Sequence, residues 1–109
     1  MAREAQIPVM PPIMIEPREW ELLAAILRTH LAGRRVWAFG SRATGRRVKR
    51  FSDLDLAVEG EPLPLGLAAR LDEALDEAPL PFKVDVTELS ALTPEFRKRI
   101  EGEMVLVSG

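Results

Sequence analysis

The chain has 109 residues, with no cysteine, no tyrosine, one histidine and few other aromatic residues. Without cysteine it forms neither disulfides nor thiolate metal sites, which excludes the small secreted scaffolds that depend on disulfides. The formal net charge of -2 provides no bulk attraction to nucleic acid or to an acidic membrane. We therefore expect a cytoplasmic protein, and the low charge argues against direct binding to nucleic acid.

The only extended apolar stretch near the N-terminus is residues 7–15, which is too short to span a bilayer and is interrupted by Pro8, Pro11 and Pro12. It does not resemble a signal peptide, so we expect no membrane segment. We predict that residues 1–16 form a tail or extended arm. Residues 17–109 have the size of one domain with one modest core.

The hydrophobic pattern predicts the order helix, strand, strand, helix, strand, helix, strand. Helices are predicted at 17–31, 67–78 and 94–100, and strands at 35–39, 54–58, 82–87 and 104–107. The first and last helices each open with a proline, which is favoured at the first helical position. This order is typical of an α/β or α+β sheet with helices packed on it.

Two aspartates stand at the start of the second predicted strand, in the run Ser52-Asp53-Leu54-Asp55-Leu56. Because strand side chains alternate, Asp53 and Asp55 project from the same face. Two carboxylates this close repel each other unless a cation lies between them, and Mg²⁺ or Mn²⁺ takes hard oxygen ligands alongside phosphates. The spacing therefore predicts a divalent metal site, although an isolated Asp-x-Asp is more often a solvated turn.

Two further features are candidates for the same site. Asp85 lies between Val84 and Val86 in the third predicted strand, so it faces away from the core if the valines face it. It is a candidate third metal ligand or catalytic base. Gly40 and Ser41 end the first strand at a sharp turn, where backbone N–H groups and the serine hydroxyl can approach phosphate oxygens. We predict a triphosphate site at this turn.

A cluster of cations fills the loop between this turn and the aspartates: Arg42, Arg46, Arg47, Lys49 and Arg50. Such loops are most often simply solvated. Because this one flanks the predicted triphosphate site, we predict a phosphate contact by Arg42, with Arg46 and Arg47 next, or docking to an acidic partner. Nucleic-acid binding through the loop is a further alternative, and it predicts steeply salt-dependent association.

Taken together, these residues resemble the active-site pattern of the DNA polymerase beta type nucleotidyltransferase superfamily. The resemblance rests on Gly40-Ser41, a spacer of about ten residues, the aspartate pair at 53–55 and the later apolar-Asp-apolar strand. It is closest to the minimal nucleotidyltransferases, small proteins commonly paired with HEPN-domain toxins, and extends from about residue 35 to residue 107.

The resemblance implies a nucleotidyltransferase fold, with a small mixed sheet flanked by helices. It implies metal binding by Asp53, Asp55 and Asp85, and triphosphate binding by Gly40 and Ser41. It further implies transfer of AMP from ATP to a tyrosine of a HEPN partner, which silences that toxin.

The sequence adds one constraint to this picture, because a chain without tyrosine cannot supply such an acceptor itself. The alternative function is a binding module of the same fold that neutralises its partner by contact alone. A homo-oligomer and a hetero-oligomer are both compatible with the sequence.

Overall fold

The computed structural model describes residues 9–109, which fold into four strands and four helices. In chain order these are α1 (Pro17–His30), β1 (Val36–Phe39), α2 (Ser41–Thr44), β2 (Leu54–Val58), α3 (Leu65–Glu77), β3 (Val84–Glu88), α4 (Pro94–Glu101) and β4 (Val105–Ser108). A 3-10 turn, Leu89–Ala91, joins β3 to α4. The predicted order of the longer elements is confirmed, whereas α2 is a short helix where we predicted a loop.

The four strands form one mixed sheet in the order β3-β2-β1-β4. β1 runs antiparallel to both β2 and β4, whereas β2 and β3 run parallel. Parallel neighbours need a crossover connection, and α3 provides it between β2 and β3. The predicted fold class, a small mixed sheet flanked by helices, is confirmed.

One face of the sheet is closed by α1 and α3. The apolar stripe of α1 predicted from its helical spacing is buried, and Leu71 and Leu75 of α3 lie in the same cluster. They pack against alternate residues of β1 and β2: Val36, Ala38, Leu54, Leu56 and Val58. Because each fully buried leucine or valine contributes about 1.5–3 kcal/mol, this layer fixes the two central strands.

The opposite face of the sheet carries a smaller cluster, in which Phe96 and Ile100 of α4 pack with Phe39 and Ala57. The helix begins as predicted, because the Thr93 hydroxyl oxygen accepts from the Phe96 N–H at 3.2 Å. Residues of β2 that are two apart share a face, so the side chain of residue 55 lies on this side too. This is the less thickly covered side of the sheet.

The predicted tail or arm over residues 1–16 is described only from residue 9 onward, and residues 1–8 lie outside the described residues. In the described part, Ile13 and Ile15 are buried in the cluster beneath α1. The Met14 N–H donates to the Arg42 carbonyl at 2.7 Å, which attaches this segment to α2. Within residues 9–109, no helix is long and apolar enough to cross a membrane.

Candidate active site

Strand pairing brings the predicted site segments to one end of the sheet. The antiparallel register pairs Phe39 with Asp55, so Gly40, the next residue after Phe39, lies beside that carboxylate. The parallel register pairs Asp55 with Asp85 on the neighbouring strand. Asp53 directly precedes β2, and its side chain is exposed. The structure therefore gathers residues from three strands around Asp55.

Gly40 occupies a position that requires glycine. Its φ of +80° lies in the left-handed region, which side chains disfavour. A Cβ at this position would lie 2.5 Å from Oδ2 of Asp55, closer than atoms in contact allow. The backbone thus approaches the carboxylate directly, and this close approach sets the shape of the turn.

Ser41 opens α2, the four-residue helix that follows this glycine. The Gly40 carbonyl accepts from the N–H groups of Ala43 and Thr44 at 3.1 and 3.0 Å, which closes the turn. Helix α2 ends at Gly45, another residue with positive φ. The Ser41 carbonyl in turn accepts from the Gly45 N–H at 2.8 Å, so Ser41 lies in a hydrogen-bonded turn directly after Gly40.

Glu103 is a member of this site that the sequence pattern did not indicate. Its Oε1 accepts a hydrogen bond from the Gly40 N–H at 2.8 Å. The contact arises because β4 pairs with β1 in antiparallel register, Ala38 opposite Val105, which places the residues before β4 next to the end of β1. Without that pairing, a glutamate more than sixty positions away has no visible link to the Gly-Ser turn.

Burial and neighbouring negative charge both act on the central carboxylate of the site. The pKa of Asp55 is raised from its ordinary value of 3.8, first by burial and then by the charges of Asp85, Asp53 and Glu103. Lys83 forms an ion pair with Asp85, with its Nζ 3.5 Å from Oδ1 and both side chains substantially exposed. An exposed pair of this kind contributes little, so the repulsion around Asp55 stays largely uncompensated.

The carboxylates of this site suit a divalent cation that is also held by substrate phosphates. Among residues 9–109, no group of three or more histidine, aspartate or glutamate side chains is placed so that it could hold a metal ion by itself. Mg²⁺ is usually held by one or two carboxylates together with substrate phosphates rather than by an all-protein cage. Carboxylate oxygens crowded beside a glycine turn match that type of site.

Arg42 is buried, with 5% of the residue exposed, and its guanidinium binds backbone carbonyls. It donates to the carbonyls of Ser52 at 2.7 Å, Met14 at 2.6 Å, Arg50 at 3.0 Å and Lys49 at 3.3 Å. It also lies 4.2 Å from the centre of the Phe82 ring. Four of its five N–H groups are thus used by the loop and the N-terminal segment, so a phosphate contact would require this network to open.

The other loop cations are exposed, and within residues 9–109 none of them forms an ion pair. Arg46 lines a cavity of about 430 Å³ that is also bordered by Arg99, Glu103 and Met104. This cavity adjoins the glycine turn through Glu103. Of the predicted phosphate contacts in the loop, Arg46 is therefore better placed than Arg42.

Three comparisons with known proteins bear on the family and the fold of this chain. The chain matches the family described as polymerase beta, nucleotidyltransferase, over residues 21–108. It is 37% identical over 94 residues to the probable protein adenylyltransferase MntA of Haemophilus influenzae, covering 85% of this chain and 82% of that protein. A crystal structure of a toxin-antitoxin with AMP-PNP contains a chain of similar fold, with a TM-score of 0.59 and 23% identity over 83% of this chain and 73% of that one.

Proposed function

This chain belongs to the polymerase beta nucleotidyltransferase family and is a nucleotidyltransferase, and from that premise we propose that it transfers AMP from ATP to a hydroxyl of a partner protein. The observation that carries the proposal is the convergence of Asp55, Asp85 and the Gly40 turn, with Asp53 beside them. The name of the Haemophilus relative supports AMP as the transferred group. The AMP-PNP in the structure of similar fold supports ATP as the donor.

We propose that Asp53 and Asp55 hold Mg²⁺ or Mn²⁺ at this site, with Asp85 as a third carboxylate. Such an ion, when bound, neutralises charge on the triphosphate and on the departing pyrophosphate. The raised pKa of Asp55 supports the assignment, because burial and the neighbouring carboxylates both disfavour its charged form, and a bound cation offsets both effects. Perturbed carboxylates of this kind are common at functional sites.

The chain's own groups have distinct parts in the proposed reaction. The Gly40-Ser41 turn holds phosphate oxygens through the serine hydroxyl and through backbone N–H groups other than that of Gly40, which donates to Glu103. Arg46 reaches the same phosphates from its cavity. The acceptor oxygen forms a bond to the α-phosphorus while the bond to the bridging oxygen of pyrophosphate breaks. Asp85 is the candidate to take the proton that the acceptor hydroxyl loses, because it lies opposite Asp55 and is partly exposed.

The acceptor belongs to another molecule. With no tyrosine in the chain, modification of its own tyrosine is excluded. We propose a tyrosine of a HEPN-type toxin as the acceptor, so that the chain acts as the antitoxin by silencing the toxin's RNase activity. The chain of similar fold in a toxin-antitoxin structure supports a toxin as the partner.

The test uses the protein with Mg²⁺, the product of the neighbouring reading frame, and ATP labelled either at the α- or at the γ-phosphate. We expect covalent label on the partner from α-labelled ATP only, together with loss of the partner's RNase activity. Label from γ-labelled ATP would instead indicate phosphoryl transfer. A partner that is inhibited without any label would support the alternative, neutralisation by contact.

A further inference from the structure

The carboxylate of Glu103 has no part in the function proposed above, yet it makes the only side-chain hydrogen bond that the structure records to the Gly40 backbone within residues 9–109. It accepts from the Gly40 N–H at 2.8 Å, and its charge also contributes to the raised pKa of Asp55. Glu103 therefore contacts the glycine turn through a hydrogen bond and acts on Asp55 through its charge.

The position of Glu103 is fixed by its own backbone. Its N–H donates to the carbonyl of Ile100 at 2.9 Å, and Ile100 is 3% exposed in the cluster beneath α4. The next residue, Met104, packs against the same cluster. The half-buried glutamate side chain is thus presented from a rigid turn between α4 and β4.

Two carboxylates hold Gly40 from two directions. Asp55 fills the space where a Cβ of residue 40 would lie, and Glu103 binds its N–H. A residue with positive φ is easily rotated when one partner is lost, because glycine has access to many backbone conformations. The bond to Glu103 therefore fixes the orientation of the Gly40 N–H, in addition to the backbone bonds from Ala43 and Thr44 that close the turn.

We propose that Glu103 is a positioning residue that fixes the Gly40-Ser41 turn for triphosphate binding by accepting the Gly40 N–H. This inference rests on the proposed function for what the turn binds. The important property of Glu103 is the length of its side chain rather than its charge. That length places an acceptor oxygen within hydrogen-bond distance of the Gly40 N–H.

Two conservative substitutions of Glu103 separate the effect of side-chain length from the effect of charge. Glu103→Gln keeps an oxygen at the same distance and removes the charge, whereas Glu103→Asp keeps the charge and withdraws the oxygen by one methylene. Glu101→Ala is the matched control, since Glu101 is an exposed residue at the end of the same helix. The readouts are the affinity for AMP-PNP at saturating Mg²⁺ and the amide hydrogen exchange of Gly40.

We expect Glu103→Gln to bind AMP-PNP within about threefold of the unchanged protein, and Glu103→Asp to bind about tenfold more weakly, the cost of one lost hydrogen bond. Gly40 exchange should accelerate at least tenfold, on the order expected for loss of one such bond, in Glu103→Asp alone. The control should match the unchanged protein in both readouts.

Other outcomes would overturn the inference. Tighter AMP-PNP binding by both variants would mean that the carboxylate obstructs the phosphates. Weaker binding by Glu103→Gln with normal binding by Glu103→Asp would mean that charge alone matters. A lower melting temperature with unchanged AMP-PNP affinity would reduce Glu103 to a role in stability. If the unchanged protein binds no AMP-PNP, the proposed function fails, and Gly40 exchange in the two variants still decides whether Glu103 fixes the turn.

Discussion

Arg42 and Asp55 are both ionisable residues that are at least partly buried, but the groups around them differ: Arg42 lies among hydrogen-bond acceptors, and Asp55 lies among other carboxylates. The arginine has four carbonyl acceptors and an aromatic ring around it. The aspartate has three other carboxylates for neighbours, and its pKa is raised. A buried charge with satisfied donors holds structure together, whereas one surrounded by like charges is under strain that a bound cation relieves.

These two environments belong to one continuous stretch of chain. Arg42 binds the carbonyl of Ser52, the residue directly before Asp53. Its network therefore fixes the loop on which the first aspartate of the pair stands. We interpret Arg42 as a structural residue that stabilises the site and the aspartates as the residues that take part in the reaction. The following predictions separate these two roles.

The largest effect is expected from neutralising the aspartate pair. Asp53→Asn and Asp55→Asn should each lower the rate of AMP transfer on the order of a thousandfold, because a lost metal ligand removes several kcal/mol of charge stabilisation. Single-turnover transfer from α-labelled ATP measures this. Asp72→Asn, an exposed aspartate of α3, is the matched control and should retain full activity. Normal transfer in either site variant would reject the assignment.

Removing Arg42 is expected to act on stability. Arg42→Ala leaves four carbonyls without their donor and should lower the free energy of unfolding by about 3–4 kcal/mol. Arg42→Lys should lower it by about half as much, because an ammonium keeps the charge but not the planar fork. Urea denaturation monitored by tryptophan fluorescence gives these values.

The matched control for that change is Arg70→Ala, an exposed arginine on α3 that should alter the free energy of unfolding by no more than about 0.5 kcal/mol. An Arg42→Ala protein that is as stable as the unchanged one but has a much higher KM for ATP would contradict this role. It would restore Arg42 as the phosphate contact that its position in the loop predicted.

A smaller effect is expected at Ser41. Ser41→Ala should raise the KM for ATP by about tenfold with little change in kcat, since it removes one hydrogen bond to a phosphate oxygen. Ser90→Ala, an exposed serine in the turn after β3, is the control. A fall in kcat with an unchanged KM would indicate that the hydroxyl acts only in the transition state.

The smallest effect concerns stability without metal. At neutral pH, Asp55→Asn should raise the melting temperature of the metal-free protein by a few degrees, because it removes a crowded charge, and 1 kcal/mol corresponds to roughly 4–8 °C at this size. The folded protein holds the Asp55 proton more tightly than the unfolded chain does, so the penalty vanishes as the pH falls from the raised pKa to 3.8.

Differential scanning calorimetry in EDTA across that pH range measures the difference between the two proteins. The advantage of Asp55→Asn should be full above the raised pKa and lost in acid. An advantage that is constant with pH, or a destabilised variant, would mean that Asp55 is not strained by its neighbours.

Local sequence patterns predicted much of the fold. β2 was placed at 54–58 as observed, and the apolar stripe of α1 and the Thr93 cap were also anticipated. These features depend on side-chain periodicity and on capping chemistry, both of which act over a few residues. The spacing of Asp53 and Asp55 is local in the same sense, which is why the aspartate pair could be singled out.

The contacts that were missed depend on strand order. The bond from Glu103 to the turn requires β4 to lie beside β1, and nothing in the sequence fixes that neighbour. The burial of Arg42 depends on carbonyls from residue 14 and residues 49–52 converging around it, which a loop rich in arginine does not indicate. The short helix α2 was not predicted, because four residues make about one helical turn and are too few to show a helical hydrophobic period.

The most direct test is a titration with Mn²⁺ in the presence of AMP-PNP, in which electron paramagnetic resonance follows the free ion. We predict that the unchanged protein binds Mn²⁺, that Asp53→Asn and Asp55→Asn each bind it at least about tenfold more weakly, and that Asp72→Asn binds it normally. Equal Mn²⁺ affinity in all four proteins would contradict the central claim that the crowded carboxylates around Asp55 form the metal site of a nucleotidyltransferase.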